Sequence, residues 1–491
     1  MRTKKSRQQL NMSKKRLAWF TPFPPIRSRI SAYNAEILPT LLEKFEIDVY
    51  IDNSTMPKMP SAELQASSSI STYSAHDFVW RHRNKPYDLT VYQLGNHSRH
   101  DYMWAYLTQF PGLVVLHDDQ LHYSRAQQLL RSKQSADHYR EEFAYCHPQV
   151  HEGVSNFMTV GFGDAMYYLG DAMYYRFWPL LRIVLNSAHL VAVHNRRFAD
   201  NLRSQYPHQK IECLQIGTQD LTSKPPSSTM QTSSCRVRHG IASDALVFGM
   251  FGLVTQEKRI IQTLNALPGV LRDFPGSKLL LVGELTQDFD VMKEIHKRKL
   301  ADHVVVTGFV PDNQVPDYIR TMDVCLCMRW PSFHETSPSW LQCLSASKAT
   351  IITDLAHNVD IPALDPRTWR PQLETVKTDH EIQAICVSID LTDEEHSLRL
   401  AMWRLASDRK LRMQLGQRAR NYWEKHHRLE YMTADYVRVL KRGFYQRPLK
   451  FKQLPSHLRF DGTELVRELL NEMNTTVDIL KSDSKNEHFQ P

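Results

Sequence analysis

Short apolar runs recur along the chain with helical patterns between them. The runs are Leu17–Thr21, Ile47, Val49 and Ile51 in alternation, 88–94, 113–116, 190–195, 246–252, 278–284, 304–311, 324–328 and 349–353. Continuous runs of this kind, alternating with helices, predict parallel sheets covered on both faces. After the proline-rich turn Pro22–Pro25, Ile30, Tyr33, Ile37, Leu38, Leu41, Leu42 and Phe45 keep a helical period. Residues 313–322 and several stretches within 396–442 also read as helices, whereas 53–76, rich in Ser, Thr, Met and Pro, reads as a loop. Asp461 and Glu464 form a capping-box pattern before the stripe Val466, Leu469, Leu470, Met473, Val477 and Leu480. That helix is expected to pack on its own chain, with a dimer or partner helix as the alternative. G-D-A-M-Y-Y occurs at 163–168 and again at 170–175, an offset that puts both copies on one helical face. A core helix is the plain reading, and a face for a lipid-like or partner surface is the other.

A chain of 491 residues exceeds what one core usually fills, so two domains are expected. The pattern divides into a basic tail (1–15), a first Rossmann-like domain (16–220), a Ser/Thr/Pro-rich linker (221–240), a second Rossmann-like domain (241–425) and terminal helices (426–491). Ligands of such sheets sit outside the carboxyl ends of the strands. Those ends deliver Gly95, Asn96, His117 and Asp118 in the first half, and Gly252, Lys258, Val310 and Glu335 in the second. Glu335 leaves a buried run and at once opens a helix, a placement suited to gripping ligand hydroxyls, and it is the best single clue to function.

The order of these pieces resembles glycosyltransferase family 4, of GT-B fold. In the second half the F-G-x-x-x-x-x-K element at 251–258, L-V-G-E at 281–284, G-F-V-P at 308–311, M-D-V-C-L-C at 322–327 and E-T-S at 335–337 follow the family's order. In the first half 17–33, 87–96, 113–122 and 190–195 resemble its acceptor domain, so the likeness spans about 16–440. The resemblance implies two nucleotide-fold domains facing across a cleft, the last helix crossing back to the first. It also implies a retaining, metal-independent transfer of a sugar from a nucleoside-diphosphate donor to an acceptor hydroxyl of a saccharide or lipid-linked glycan. His117 and Glu335 would meet the donor sugar and Lys258 its diphosphate, the charge that such a transfer must neutralise. Gly252, Val310, Thr336 and Ser337 would line the donor site. Arg27, Ser28 and Arg29 would occupy the loop near phosphates and acceptor, with Gly95 and Asn96 beside them.

Several positions depart from that family's pattern. Leu253 stands where an arginine is frequent, and Arg259 is the candidate to replace its charge. Gln342 stands where a second glutamate is expected, and can hydrogen-bond a ribose without charge assistance. Thr336, Ser337, Pro338 and Ser339 replace glycines, and Pro338 brings no N–H donor. Ser337 is expected to cap the helix and bind the anion. These substitutions support a second reading, a catalytically weakened GT-B scaffold acting as a binding or assembly protein.

Composition narrows the alternatives. Hydrophobic residues make up 42% and charged residues 23%, the balance of a globular chain. No apolar window is long and uncharged enough to predict a membrane span. The formal charge is +8, and nine Lys and Arg precede the first acidic residue, Glu36, with no apolar segment behind them. The tail reads as solvated rather than as a secretory signal. A contact with an anionic membrane or with nucleic acid is its other reading, although nucleic acid is not an expected partner of the transferase. Seven cysteines without a C-x-x-C pair fit reduced thiols and a cytoplasmic setting. His117, Asp118, Asp119 and His122 lack standard metal-motif spacing, so no metal or other cofactor is expected.

Overall fold

The computed structural model describes residues 14–26, 28–52, 70–130, 135–156, 175, 177–222, 232–332, 336–372, 383–447, 454–459, 470 and 472–473. The chain divides into two compact units. The first comprises Met1–Val193, Leu202–Glu212 and Val439–Pro491, and the second His194–Asn201 and Cys213–Arg438.

The first unit is built on β1 (Arg16–Phe20), β2 (Glu46–Ile51), β3 (Ser71–Ser74), β4 (Leu89–Leu94), β5 (Leu113–Leu116), β6 (Leu190–Val193) and β7 (Ile211–Cys213). They form a seven-stranded sheet in the order β3-β2-β1-β4-β5-β6-β7. Helices α1 (Arg29–Leu42), α2 (Phe78–Asn84), α3 (Tyr102–Gln109), α4 (His122–Leu129), α5 (Ala136–Cys146) and α6 (Arg182–Ser187) connect the strands, and α7 (Arg196–Gln205) begins in the second unit and ends in the first. Its central strands are apolar because both faces are covered: Leu17, Trp19, Val91, Val114 and Val191 are buried. Where α1 crosses β1, the Trp19 indole donates to Asn34 Oδ1 at 2.7 Å, which satisfies both buried polar groups.

Two local findings differ from the sequence pattern. Strand β2 alternates in sequence, yet the polar positions between its apolar residues are buried as well. Asp48 is tolerated there because the Tyr87 hydroxyl donates to it at 2.5 Å and Arg16 lies at 3.1 Å. The stretch 53–76, read as a loop, contains β3, which pairs in parallel with β2 from Asp48↔Ser71 to Ile51↔Ser74. Its S-T-Y-S sequence has no apolar run because an edge strand is only half covered.

The second unit carries α8 (Thr232–Arg238), β8 (Val247–Phe251), α9 (Ile260–Leu271), β9 (Lys278–Val282), α10 (Val291–Lys297), β10 (Val304–Val306), α11 (Val315–Thr321), β11 (Val324–Leu326), α12 (Pro338–Ser345) and β12 (Ala349–Thr353). Then follow β13 (Ala363–Leu364), β14 (Cys386–Ile389), α13 (Glu394–Ser407), α14 (Arg409–His426) and α15 (Leu429–Gly443), which begins in the second unit and ends in the first. The strand order is β10-β9-β8-β11-β12-β14-β13. Helix α8 occupies the second half of the stretch read as linker. It is packed: Cys235 is buried with Ile319 and Met322, and Arg236 donates to the Ala245 carbonyl at 2.8 Å. The tail 1–13, the first G-D-A-M-Y-Y copy, all of the second but Tyr175, linker residues 223–231 and most of the 461–480 helix lie outside the described residues.

In both sheets the chain reverses its direction of strand addition beside the first strand, between β1 and β4 and between β8 and β11. Ligands of open parallel sheets bind outside the carboxyl ends at such a reversal. Each unit thus has one place where sequence and topology agree that a ligand belongs.

Candidate functional site

In the first unit, the loop after β1 ends at Ser28, whose Oγ accepts the Ser31 N–H at 3.0 Å and starts α1. Arg29 is the exposed first residue of that helix, and Arg27 lies outside the described residues. Beyond β4, Gly95 is closely approached by side-chain ends: a Cβ there would lie 2.5 Å from Ile30 Cδ1 and 3.0 Å from Asp118 Oδ2, so Ile30 would have to shift. The Asn96 N–H donates to Asp118 Oδ2 at 2.6 Å, and Asn96 Oδ1 accepts the Ser124 N–H at 3.0 Å. These bonds stitch the loop after β4 to the loop after β5 and to α4.

His117 is buried at the end of β5. Its N–H donates to the Leu94 carbonyl at 2.8 Å, its Nε2 lies 2.7 Å from Gln93 Oε1, and its ring meets that of Tyr33 edge-on at 4.9 Å between centroids. The fold therefore brings Tyr33, Gln93, Gly95, Asn96, His117 and Asp118 to one end of the sheet. Gln93 and Tyr33 were not among the sequence candidates. The signal for Gln93 is a lone amide inside the apolar run 89–94, a polar group that a buried strand tolerates only when it is bonded.

Two neighbouring histidines serve the interior. His100 is buried with its Nδ1 2.9 Å from the Gln93 carbonyl, and burial pushes its pKa down to about 3. Burial likewise takes His122 down to about 3, and its Nε2 lies 2.7 Å from the Tyr139 hydroxyl. His122 thus belongs to the packing beneath α4. Among the described residues no three His, Cys, Asp or Glu are grouped so as to hold a metal ion.

In the second unit, β8 ends at Gly252, with φ +91°, beside Gly283, with φ +146°. A Cβ on Gly283 would stand 2.2 Å from the Gly252 carbonyl oxygen, so the two chains approach as only glycine permits. The turn Gln256–Lys258 carries the Lys258 ammonium back over this point, where it donates to the Phe251 carbonyl. A Cβ on Gly252 would lie 2.8 Å from Lys258 Nζ. One positive charge is held at the carboxyl end of β8, the first strand at the reversal.

Arg259, the candidate for a second phosphate contact, is engaged elsewhere. Its guanidinium donates to both carboxylate oxygens of Glu394, one at 2.7 Å, and to the Trp330 carbonyl at 3.4 Å. The Trp330 N–H in turn donates to the Glu257 carbonyl at 2.7 Å, which ties the loops after β8 and β11 together. Leu253 is exposed. Val310 is buried in a cluster with Tyr318 and Ile319, so its side chain serves packing.

Ser337 is the N-cap of α12 and accepts the Trp340 N–H at 3.4 Å, with Pro338 at the first helical position. Thr336 precedes it, half-buried, and Gln342 is half-buried in the second turn. Glu335, with Phe333 and His334, lies outside the described residues.

Residues 233–359 match the family described as glycosyl transferases group 1. A 2-deoxystreptamine glucosyltransferase from Streptomyces kanamyceticus is 33% identical over 92 residues, 18% of this chain. The chain spans 22% of that relative's length. Among solved structures, Anabaena HepE in complex with UDP and glucose aligns with a TM-score of 0.57 at 11% identity, covering 87% of this chain and 100% of that one. Sucrose-phosphate synthase from Thermosynechococcus elongatus gives 0.55 at 13%, covering 87% and 99%. WaaG, a glycosyltransferase involved in lipopolysaccharide biosynthesis, gives 0.54 at 12%, covering 86% and 99%. At these identities the structures establish a shared α/β fold of two parallel-sheet domains, the GT-B architecture expected from the sequence.

Proposed function

We propose that the glycosyl transferases group 1 domain in residues 233–359 binds a nucleoside-diphosphate sugar, and that the chain is a retaining, metal-independent glycosyltransferase acting on a saccharide or lipid-linked acceptor hydroxyl. The observation that carries this reading is the Lys258 ammonium held over Gly252 at the end of β8. A diphosphate leaving group gains charge as the glycosidic bond breaks, and a fixed cation over a glycine turn can approach it closely and stabilise that charge. The Ser337 hydroxyl and the Ser339 N–H at the start of α12 offer further donors. UDP is the nucleotide to test first, since HepE was solved with UDP and glucose. Glu335 would accept hydrogen bonds from sugar hydroxyls, and His117 would orient a hydroxyl or stabilise developing charge.

The test is turnover of UDP- and GDP-sugars by the purified chain beside Lys258→Ala, Glu335→Ala and His117→Ala. Loss of one such group is expected to lower kcat on the order of 10²-fold. Anomeric NMR of the product reads the stereochemistry, and added chelator reads metal dependence. Full rate in all three variants overturns the residue roles.

A second reading, a binding or assembly scaffold with weakened catalysis, is favoured by Leu253, which is exposed, and by Arg259, whose charge is engaged by Glu394. It predicts thermal stabilisation by UDP without turnover of any UDP-sugar. A peripheral membrane role for the basic tail rests on its charge, and no helix among the described residues is long and apolar enough to cross a membrane.

A further inference from the structure

We infer that Gln93 is a positioning residue for His117, selecting which ring nitrogen carries the hydrogen when the imidazole is neutral. The inference rests on the assignment of His117 to the sugar site.

An amide oxygen only accepts hydrogen bonds. With Gln93 Oε1 2.7 Å from His117 Nε2, the hydrogen sits on Nε2, and Nδ1 is the unprotonated nitrogen of the neutral ring. Gln93 is itself held. It is fully buried on β4, and its carbonyl lies 2.9 Å from His100 Nδ1. The His117 backbone donates to Leu94, the next residue of the same strand, and Tyr33 of α1 stands edge-on to the ring. Strand β4 therefore grips His117 at main chain and side chain together, and a ring so held loses little freedom when a ligand arrives.

The choice of amide has a chemical consequence. A carboxylate at position 93 would stabilise the imidazolium, whereas a neutral amide fixes the tautomer without adding charge. Among the described residues, the titratable groups that these contacts and the chain place near this ring include Tyr33 on α1, His100 after β4, and Asp118 and Asp119 on its own loop. Burial keeps His100 neutral through the physiological range. With hydrogen on Nε2 the neutral ring keeps Nδ1 as an acceptor, whereas an imidazolium carries hydrogen on both nitrogens and accepts at neither.

The test is NMR of the full chain with 15N-labelled histidine, in which the His117 signals are assigned by their loss in His117→Asn. In the ligand-free wild type the two-bond couplings are expected to report hydrogen on Nε2. Gln93→Glu is expected to raise the His117 titration midpoint by about one unit, a tenfold change in proton affinity. Gln93→Met is expected to give a mixture of tautomers. Hydrogen on Nδ1 in the wild type, or an unmoved midpoint in Gln93→Glu, overturns the inference. These readouts need no turnover, so they stand apart from failure of the transferase reading. If the protein turns over a UDP-sugar, Gln93→Met should lower kcat about tenfold with KM unchanged, and Gln93→Glu should move the acid limb of the kcat profile upward. Wild-type kinetics in both variants would also overturn it.

Discussion

Arg259 and Glu394 form a two-pronged ion pair that joins the start of α9 to the start of α13. The Glu394 side chain is 7% exposed and that of Arg259 18%. Removing one partner strands a buried charge, whereas replacing both by apolar residues is far milder. Arg259→Ala is therefore expected to lower unfolding free energy by about 3 kcal/mol, and Arg259→Met with Glu394→Leu to recover most of it. Urea midpoints of the single and double variants check this. Nucleotide affinity of the folded Arg259→Ala protein should fall less than that of Lys258→Ala.

Lys258 makes a separable electrostatic prediction. If its ammonium contacts a diphosphate, Lys258→Ala should weaken UDP binding, and the gap from wild type should narrow between low salt and ~0.5 M salt, where charges at a solvent-open site are screened. Isothermal titration with UDP at two salt concentrations measures it. Equal UDP affinity in both proteins at low salt would remove the role assigned to this lysine.

The glycines at the strand ends differ in what they need. A Cβ on Gly283, at φ +146°, would meet backbone at 2.2 Å, whereas one on Gly308, at φ +69°, would meet nothing within 4 Å. Gly283→Ala should thus cost about 3 kcal/mol or more, since backbone must shift as well as twist. Gly308→Ala should cost only the left-handed penalty of about 1 kcal/mol. Melting temperatures of the two variants should rank accordingly.

The acid side of stability should report Glu142. Burial raises its carboxyl, but the Arg125 guanidinium and His457 together outweigh burial and hold it below the usual carboxylate range. A depressed carboxyl contributes stability that is present above its unfolded pKa of ~4.3 and is lost as pH falls through the folded value. Glu142→Gln should therefore be less stable than wild type at neutral pH, and the difference should shrink as pH drops below about 4. Urea midpoints of both proteins across that range provide the check.

Much of the strand pattern is legible because a parallel sheet buries both faces, and continuous runs such as 113–116 and 349–353 have few other uses. Strand β3 is not, since an edge strand of serines, threonine and tyrosine carries no apolar run. Helix α8 hides in a stretch whose Ser and Thr content reads as linker, while the buried Cys235 that anchors it is a single residue. Gly252 and Lys258 stand out because they follow the carboxyl end of a strand and match the F-G-x-x-x-x-x-K element of the family that the chain resembles. The engagement of Arg259 by Glu394 spans 135 residues of sequence, and nothing local announces it. Gln93 is obscure for a related reason: its meaning comes from His117 just past the adjacent strand, and pairing between β4 and β5 is a property of the sheet.

The first unit takes its closing pieces from the far end of the chain. Phe444 lies against Phe45 at 6.2 Å between ring centroids, and a Cβ on Gly443 would stand 2.8 Å from Leu89. During synthesis, β1 through β7 leave the ribosome long before these residues exist, while at 5–20 residues per second the intervening chain takes roughly ten seconds or more to make. The first sheet must wait, part of its apolar surface uncovered, until Gly443 and Phe444 have been made. A nascent chain halted before Val439 would be a natural client for chaperones even with every strand of both sheets already made.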